Sequence, residues 1–247
     1  MKEKDIKKIV KNSYREIAKE SCSCCNEKQE DIDIAKSIGY TVDEIAIAKE
    51  ANLGLGCGNP TAFANIKEGD TVLDLGSGAG FDAFLALKKV GNSGKVYGVD
   101  MTEEMIEKAR GLANKYGYKN VEFKLADIDN LPFENQSIDI IISNCVINLA
   151  PDKSKVFKEA YRVLKDNGSM FVSDIVLLED LTEEQKNDER LIAGCVGGAV
   201  LKEDYLKIIS DAGFDFNILE EDTDISKNQY NGINLESLKV ELFKTDT

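Results

Sequence analysis

The sequence predicts an α/β fold in which helices cover both faces of a mostly parallel, seven-stranded sheet. From Asp70 onward, short apolar segments alternate with segments of helical periodicity, which is typical of sheets built from strand–helix–strand units. A glycine-rich turn follows the first of these apolar segments. Acidic residues end the next two, at the sheet edge where open α/β folds bind their ligands.

The first 60 residues are expected to form a separate segment. Residues 2–19 carry apolar side chains near helical spacing. Thr41 and Glu44 have the spacing of a capping box, which opens a short helix. Residues 52–60 contain three glycines and a proline and therefore predict a loop. We expect residues 1–60 to supply an N-terminal helical segment, a cysteine cluster and a loop that caps a substrate.

Residues 61–247 are expected to form the main domain. The segments with strand character are residues 71–75, 95–99, 121–126, 138–143, 169–175, 214–219 and 238–243. Five segments have helical character. Two of them begin at Phe81 and Thr102, two cover residues 153–165 and 202–212, and one runs from Thr182 toward Leu191. The helices within residues 176–212 are expected to cover a substrate.

The composition argues against several classes of function. The chain has 31 basic and 45 acidic residues and a net charge of −14, which disfavours nucleic-acid partners because their phosphates are neutralised by cations. It has no histidine, so a Ser-His or Cys-His catalytic pair and a histidine-bound metal are impossible. No apolar run approaches the ~18 residues of a membrane span, and the charged N-terminus lacks a secretory signal. We therefore expect a cytoplasmic protein without nucleic-acid or membrane partners.

The glycine-rich turn within residues 72–80 is the most specific motif in the sequence. Gly76, Gly78 and Gly80 let the backbone pass close to a ligand, and the amides that open the following helix favour polar or negative groups. A dinucleotide fingerprint requires a third glycine at the position of Phe81, so the turn disfavours a pyrophosphate-binding site.

The form Asp-x-Gly-x-Gly-x-Gly, from Asp74 to Gly80, resembles motif I of the class I methyltransferases, whose Rossmann-like fold binds S-adenosylmethionine. A lone turn of this type is often only a tight connection, but two acids follow it in the order that the resemblance requires. Asp100 ends the second strand, where a carboxylate accepts from ribose hydroxyls, and Asp127 follows the third, where it accepts from the adenine amino group. The cofactor contacts implied by the resemblance are Asp74, Gly76, Ser77, Gly78, Gly80, Asp100, Met101, Asp127, Ile128 and Asn144.

Three distant cysteines are candidates for a single site. Cys145 follows the fourth strand, near the reactive end of the expected cofactor, whereas Cys57 and Cys195 lie in glycine-rich segments placed to cover its mouth. Three converging thiolates would hold trivalent arsenic with its lone pair open. Alternatively, a free cysteine often acts as a small buried hydrophobe. For the N-terminal cluster, a redox pair and half of a zinc knuckle both stay open; its members are Cys22, Cys24 and Cys25.

Three stretches resemble the arsenite methyltransferases: residues 50–60, 143–149 and 193–199. The resemblance implies that Cys145 and Cys195 are the core arsenic ligands, and that Cys57 is the third thiol, which in the family can pair with an N-terminal cysteine. It also implies arsenite or its thiol conjugate as substrate. The co-substrate would be a thiol reductant, glutathione or a thioredoxin-type protein.

Two other functions stay open at this point. The first is methylation of a small organic acceptor, such as a quinone or phenol, because fold and cofactor do not determine the acceptor. The second is thiol-based sequestration of arsenic or a metal by a protein without catalysis.

Overall fold

One sheet of seven strands organises the computed structural model, which describes residues 3–20, 29–225, 230 and 232–244. The strands are β1 (Thr71–Leu75), β2 (Lys95–Asp100), β3 (Val121–Leu125), β4 (Ile138–Asn144), β5 (Leu164–Leu177), β6 (Phe214–Asp222) and β7 (Leu235–Lys244). Their order across the sheet is β3-β2-β1-β4-β5-β7-β6. The expected strand number is therefore confirmed.

Ten α-helices accompany the sheet in the described part of the chain. They are α1 (Glu3–Glu20), α2 (Gln29–Ser37), α3 (Val42–Ile47), α4 (Pro60–Phe63), α5 (Phe81–Val90), α6 (Glu103–Tyr116), α7 (Lys153–Val163), α8 (Glu183–Asn187), α9 (Glu189–Ala193) and α10 (Lys202–Asp211). Short 3-10 turns cover Lys49–Ala51 and Ile147–Leu149. None of the described helices has the length and apolar character needed to cross a bilayer.

The sheet is mixed, so the expectation of a mostly parallel sheet is wrong. The first five strands along the sheet pair in parallel with one another, in the order β3-β2-β1-β4-β5. In contrast, β7 pairs antiparallel with both β5 and β6. The physical reason lies in the last connection. β7 follows β6 in the chain and pairs directly with it, and antiparallel neighbours need no crossover helix.

Helices cover both faces of the sheet, as expected. Along β1, Val72 packs on one side with Phe84 of α5 and Ile106 of α6. Leu73 packs on the other side with Phe157 of α7. This division follows from the alternation of side chains along a strand.

Two local predictions about boundaries are wrong. A single helix was expected from Thr182 toward Leu191, but the chain forms α8 and α9 with a break at Asp188, where the backbone is extended (ψ 116°). The Asp188 carboxylate accepts a hydrogen bond from the amide of Arg190 and so caps α9. The expected strand over 169–175 begins earlier, because Leu164 already pairs with Ile138 of β4.

The strand order reverses between β1 and β4. β2 and β3 lie on one side of β1, whereas β4 and β5 lie on the other. At such a point, the connections that follow two neighbouring strands of an open α/β sheet run to opposite sides. The crevice between them, at the carboxyl ends of the strands, is where these folds bind ligands. Residues after Leu75 of β1 and after Asn144 of β4 therefore face one crevice.

We expect Phe84→Ala to lower the free energy of unfolding by about 3–5 kcal/mol, the usual cost of emptying a buried aromatic site. Phe84 is fully buried, and its ring contacts the rings of Tyr116, Tyr118 and Phe123. Urea unfolding measures the change. Leu125→Ala is the control, because Leu125 is 50% exposed and its loss should change stability by less than about 0.5 kcal/mol. Equal effects of the two substitutions would contradict this account of the core.

Candidate active site

A cavity of about 460 Å³ lies at the carboxyl ends of β1, β2 and β4. This volume is within the range of small-molecule sites, about 300–1,000 Å³. The 52–56 loop and one face of α1 also line it, so segments from before the sheet form part of the wall. The crevice expected from the strand order is thus closed over by the N-terminal part of the chain.

The glycine turn after β1 brings the backbone to the cavity. Gly76, Gly78 and Gly80 all have positive φ angles, of 67°, 50° and 96°, which L side chains rarely adopt. A Cβ atom added at Gly76 would lie 2.3 Å from a methyl carbon of Val146, whereas one at Gly78 would meet nothing within 4 Å. Gly76 is therefore needed for packing, and Gly78 borders open space in the cavity.

Buried acidic side chains also line the cavity. Asp74 is 3% exposed, and its Oδ2 atom has no hydrogen-bond partner among the described residues. Burial and then the charge of Asp82 raise the pKa of Asp74 well above its ordinary value. Asp100 accepts hydrogen bonds from the amides of Gly78 (3.0 Å) and Thr102 (2.8 Å). Burial raises the pKa of Asp100 as well, although these amides oppose the shift.

Asn144 joins this acidic wall to the loop that carries Cys57. Its amide nitrogen donates to Tyr40 Oη (2.9 Å), to the Gly58 carbonyl (2.8 Å) and to Asp82 Oδ2 (3.2 Å). Its Oδ1 atom accepts from the amide of Cys57 (3.1 Å). Tyr40 in turn donates to Asp82 Oδ1 (2.6 Å). One side chain at the end of β4 therefore positions the loop and part of the acidic wall.

The three candidate cysteines come together in the fold. Each is a buried free thiol. Hydrogen bonds link the Cys145 thiol to those of Cys57 and Cys195, and the Cys195 thiol also donates to the Cys145 carbonyl (2.6 Å). The Cys57 thiol donates to the carbonyl of Ser173 (3.4 Å). Residues 57, 145 and 195 thus form one sulfur cluster at the end of the sheet.

Cys145 and Cys195 have strained backbones. Their φ angles are 56° and 68°, and Gln136 is the only other non-glycine residue of the described chain with a positive φ. Such a conformation costs on the order of 1–3 kcal/mol and occurs mainly where the surroundings enforce it, often at functional sites. Both strained residues line the cavity, which makes them candidates for a functional role.

The thiols are held in their protonated form. Burial is the main cause that raises the pKa of Cys57. Its hydrogen bond with Cys145 and then burial raise the pKa of Cys195. For Cys145, a hydrogen bond from Cys195 lowers the pKa, but the hydrogen bond with Cys57 and burial outweigh it and leave the pKa well above normal. At neutral pH the cluster is uncharged.

Comparison with known proteins agrees with this geometry. A family model described as a methyltransferase domain matches residues 66–213. The crystal structure of CrArsM, an arsenic (III) S-adenosylmethionine methyltransferase from Chlamydomonas reinhardtii, superposes with a TM-score of 0.69 at 34% identity, over 86% of this chain and 74% of that one. The chain belongs to the arsenite methyltransferase family.

Curated arsenite methyltransferases extend the comparison. The Halobacterium salinarum protein is 42% identical over 85% of this chain and 58% of its own length. The Mus musculus protein is 33% identical over the same shares of both chains. This arsenite methyltransferase family member therefore spans somewhat more than half the length of the curated relatives it matches.

Most of the residues expected at the site of this family member line one cavity. Those that do are Asp74, Gly76, Ser77, Gly78, Asp100, Met101, Asp127, Ile128, Asn144, Cys145 and Cys195. Gly80 and Cys57 do not. A Cβ atom at Gly80 would lie 2.8 Å from the ring of Phe123, so Gly80 serves the packing of α5 on the sheet. Cys57 is 2% exposed and is linked to the cavity lining by its thiol, which contacts Cys145, and by its amide, which donates to Asn144. Cys22, Cys24 and Cys25 lie outside the described residues.

Sequence reasoning missed the residues that α1 contributes. The Tyr14 hydroxyl hydrogen-bonds with the Cys195 thiol, and Lys7 pairs with Asp127 (3.3 Å) and Asp129 (2.9 Å). Tyr230 also lines the cavity. The helical spacing of residues 2–19 predicted the helix, but it did not indicate that one face of this helix lines the cavity.

The pH dependence of stability should report the buried acid at Asp82. Burial raises the pKa of Asp82 from 3.8 to about 6. The pKa of Asp82 is higher in the folded state than in the unfolded state, so the contribution of Asp82 to stability is fully present below about pH 4. This contribution is lost as the pH rises through 6, a change of about 3 kcal/mol. Asp82→Asn should flatten the fall in the free energy of unfolding between pH 4 and 7, measured by urea unfolding. Asp43→Asn removes an exposed carboxylate and should leave the slope unchanged. An unaltered slope in Asp82→Asn would contradict the assignment.

Proposed function

We propose that the protein is an arsenite methyltransferase, which transfers a methyl group from S-adenosylmethionine to trivalent arsenic held by Cys145, Cys195 and Cys57. The observation that carries the proposal is the strained pair Cys145 and Cys195, which shares one cavity with the glycine turn and its acids. A generic methyltransferase acting on oxygen or nitrogen needs no such pair of thiols.

The residues of the cavity fit S-adenosylmethionine. The unpartnered Oδ2 of Asp74 offers an acceptor to the ammonium of the methionine part, and the open space at Gly78 leaves room for the ligand. Asp100 would accept from the ribose hydroxyls, and Asp127 with Ile128 would contact the adenine. Buried carboxylates also favour a cationic ligand. When bound, the cofactor supplies an electrophilic methyl group.

Arsenic binding to this cluster is a condensation reaction. Each arsenic–sulfur bond forms as one arsenic hydroxyl leaves with the thiol proton as water, so arsenous acid and three thiols give a neutral trithiolate and three waters. The raised pKa values of the thiols suit this reaction, because no proton has to be released to solvent. The arsenic lone pair is left free for the methyl group. A base is not needed, which agrees with a histidine-free chain.

The reaction also requires a reductant. Methylation of the lone pair leaves arsenic pentavalent, and its return to the trivalent state takes two electrons, which two thiols supply by forming a disulfide. We propose that glutathione or a thioredoxin-type protein then reduces this disulfide. Such thiol pools belong to the cytoplasm, where we place the protein.

The proposed division of the chain assigns residues 1–60 to a cap and residues 61–247 to the methyltransferase domain. α1 supports this division, because it contacts both α6 and α9 and lines the cavity. The ion pair between Arg15 and Glu104 (2.7 Å) fastens α1 to α6. Residues 176–212 carry Cys195 to the mouth of the site from the other side.

Cys145→Ser and Cys195→Ser should each reduce arsenite methylation by on the order of 10²-fold or more, since misplacing one reactant by about 1 Å has that effect. The serine hydroxyl does not form the stable bond to arsenic that sulfur forms. Turnover is measured with arsenite, glutathione and labelled S-adenosylmethionine. Calorimetric binding of S-adenosylmethionine serves as the control and should change little. Full turnover in both variants would rule out the arsenic mechanism.

The same assay tests the alternative acceptor. Demethylmenaquinone methyltransferase of Lactobacillus johnsonii is 36% identical, but over only 42% of this chain. Methylation of a quinone or phenol without arsenite, at a rate comparable to that with arsenite, would favour a small organic acceptor.

A further inference from the structure

A buried carboxylate accompanies two of the three cysteines. The Sγ atoms of Cys57 and Cys145 and one carboxylate oxygen of Asp174 all lie within 4.8 Å of one another. All three side chains are buried, and Asp174 is 1% exposed. Arsenic bound by three sulfurs makes no use of this oxygen, so Asp174 is a feature that the proposed function does not explain.

Hydrogen bonds hold the Asp174 carboxylate in one orientation. Its Oδ1 atom accepts from Asn148 Nδ2 (3.0 Å) and from the amide of Ile175 (3.1 Å), and its Oδ2 atom accepts from Tyr205 Oη (2.9 Å). A carboxylate has about four acceptor positions, so these three donors leave about one for another ligand. Outer hydrogen bonds of this kind orient the carboxylates that bind metals.

The charges around the cluster suit a divalent cation. Lys153 is 8% exposed and lies close enough to Asp174 for its charge to lower the pKa of that carboxyl. Two thiolates, one carboxylate, one ammonium and one divalent cation together carry no net charge. Neutrality matters because an uncompensated charge is costly to bury. The charges of Asp174 and Lys153 already balance each other, so the cluster stays uncharged when one divalent cation replaces two thiol protons.

We propose that Cys57, Cys145 and Asp174 form a binding site for a soft divalent cation, Zn²⁺ or Cd²⁺. Thiolate and carboxylate are ordinary ligands of these ions, and sulfur favours the softer ones. The cation replaces two thiol protons, which leave to solvent, and no electron is transferred. Three protein ligands leave a fourth coordination position open. Bound metal occupies two of the sulfurs assigned to arsenic and therefore excludes arsenite. The site belongs to the protein without cofactor, so it does not depend on methyl transfer.

Titration with Cd²⁺ alone tests the proposal on the full-length chain. Cys22, Cys24 and Cys25 are replaced by serine in every sample, so that metal-bound sulfur comes only from the three described cysteines. Calorimetry and the ultraviolet sulfur-to-cadmium absorption measure binding. We expect one Cd²⁺ per chain, a loss of affinity of about tenfold or more in Asp174→Asn, and a similar or larger loss in Cys57→Ser. Asp166→Asn, at an exposed carboxylate, should bind as the parent does.

A parallel titration with arsenite separates a ligand role from a structural one. Asp174→Asn should keep arsenite affinity within about twofold while it loses Cd²⁺ affinity. Equal losses for both ions would mean that Asp174 only supports the fold and would overturn the proposal. Unchanged Cd²⁺ affinity in Asp174→Asn or in Cys57→Ser would also overturn it. If Asp174→Asn does not fold, the Cd²⁺ affinity of Cys57→Ser alone tests the proposal. Absence of arsenite methylation in the chain with all six cysteines would refute the proposed function and leave these binding results unaffected.

Discussion

The hydrogen bonds of one side chain, Asn144, hold the site together. Its amide joins the end of β4 to the loop that carries Cys57 and to the acid Asp82. These groups lie far apart in the sequence, and loop backbone placed in a buried position requires partners for its polar groups. By satisfying the Cys57 amide and the Gly58 carbonyl together, Asn144 fixes the loop against the sheet and thereby places the first sulfur beside the second.

The electrostatics of the cavity differ between its two ends. The end formed by β1 and β2 collects the carboxyl groups of Asp74, Asp82 and Asp100, whose pKa values burial raises. The other end collects thiols that burial and mutual hydrogen bonds keep neutral. A cation is favoured at the first end, and a species that forms bonds to sulfur at the second. This asymmetry gives a physical reason why a sulfonium cofactor and arsenous acid would occupy one cavity in a single orientation.

Backbone strain at the two cavity-facing cysteines links the fold to the chemistry. Cys145 leaves β4 with a left-handed backbone, and its amide donates to the carbonyl of Ser173 (2.8 Å). Cys195 follows α9 in the same conformation. Strain of this kind persists only where surrounding contacts outweigh it. α1 packs against α9, and Tyr14 of α1 hydrogen-bonds with the Cys195 thiol, so the N-terminal helix contributes to the sulfur cluster.

Sequence patterns predicted much of this protein because its signals are local. Alternating periodicities identified all seven strands, and the spacing of Thr41 and Glu44 identified a capping box that the structure contains. The motifs together with the family resemblance selected eleven residues that line one cavity. Patterns failed where the outcome depends on distant partners. The antiparallel insertion of β7 and the position of Cys57 behind Cys145 are of this kind.

The sequence by itself selected the residues to which we assign the chemistry, because glycines, acids and cysteines stand at fixed positions relative to strand ends. Only the tertiary structure decided which of them meet. Residues 57, 145 and 195 come together because three connections converge on one edge of the sheet, and no period in the chain encodes that convergence. The coverage of the cavity by α1 and the partnership of Asp174 with two cysteines likewise depend on packing between segments that lie apart in the sequence.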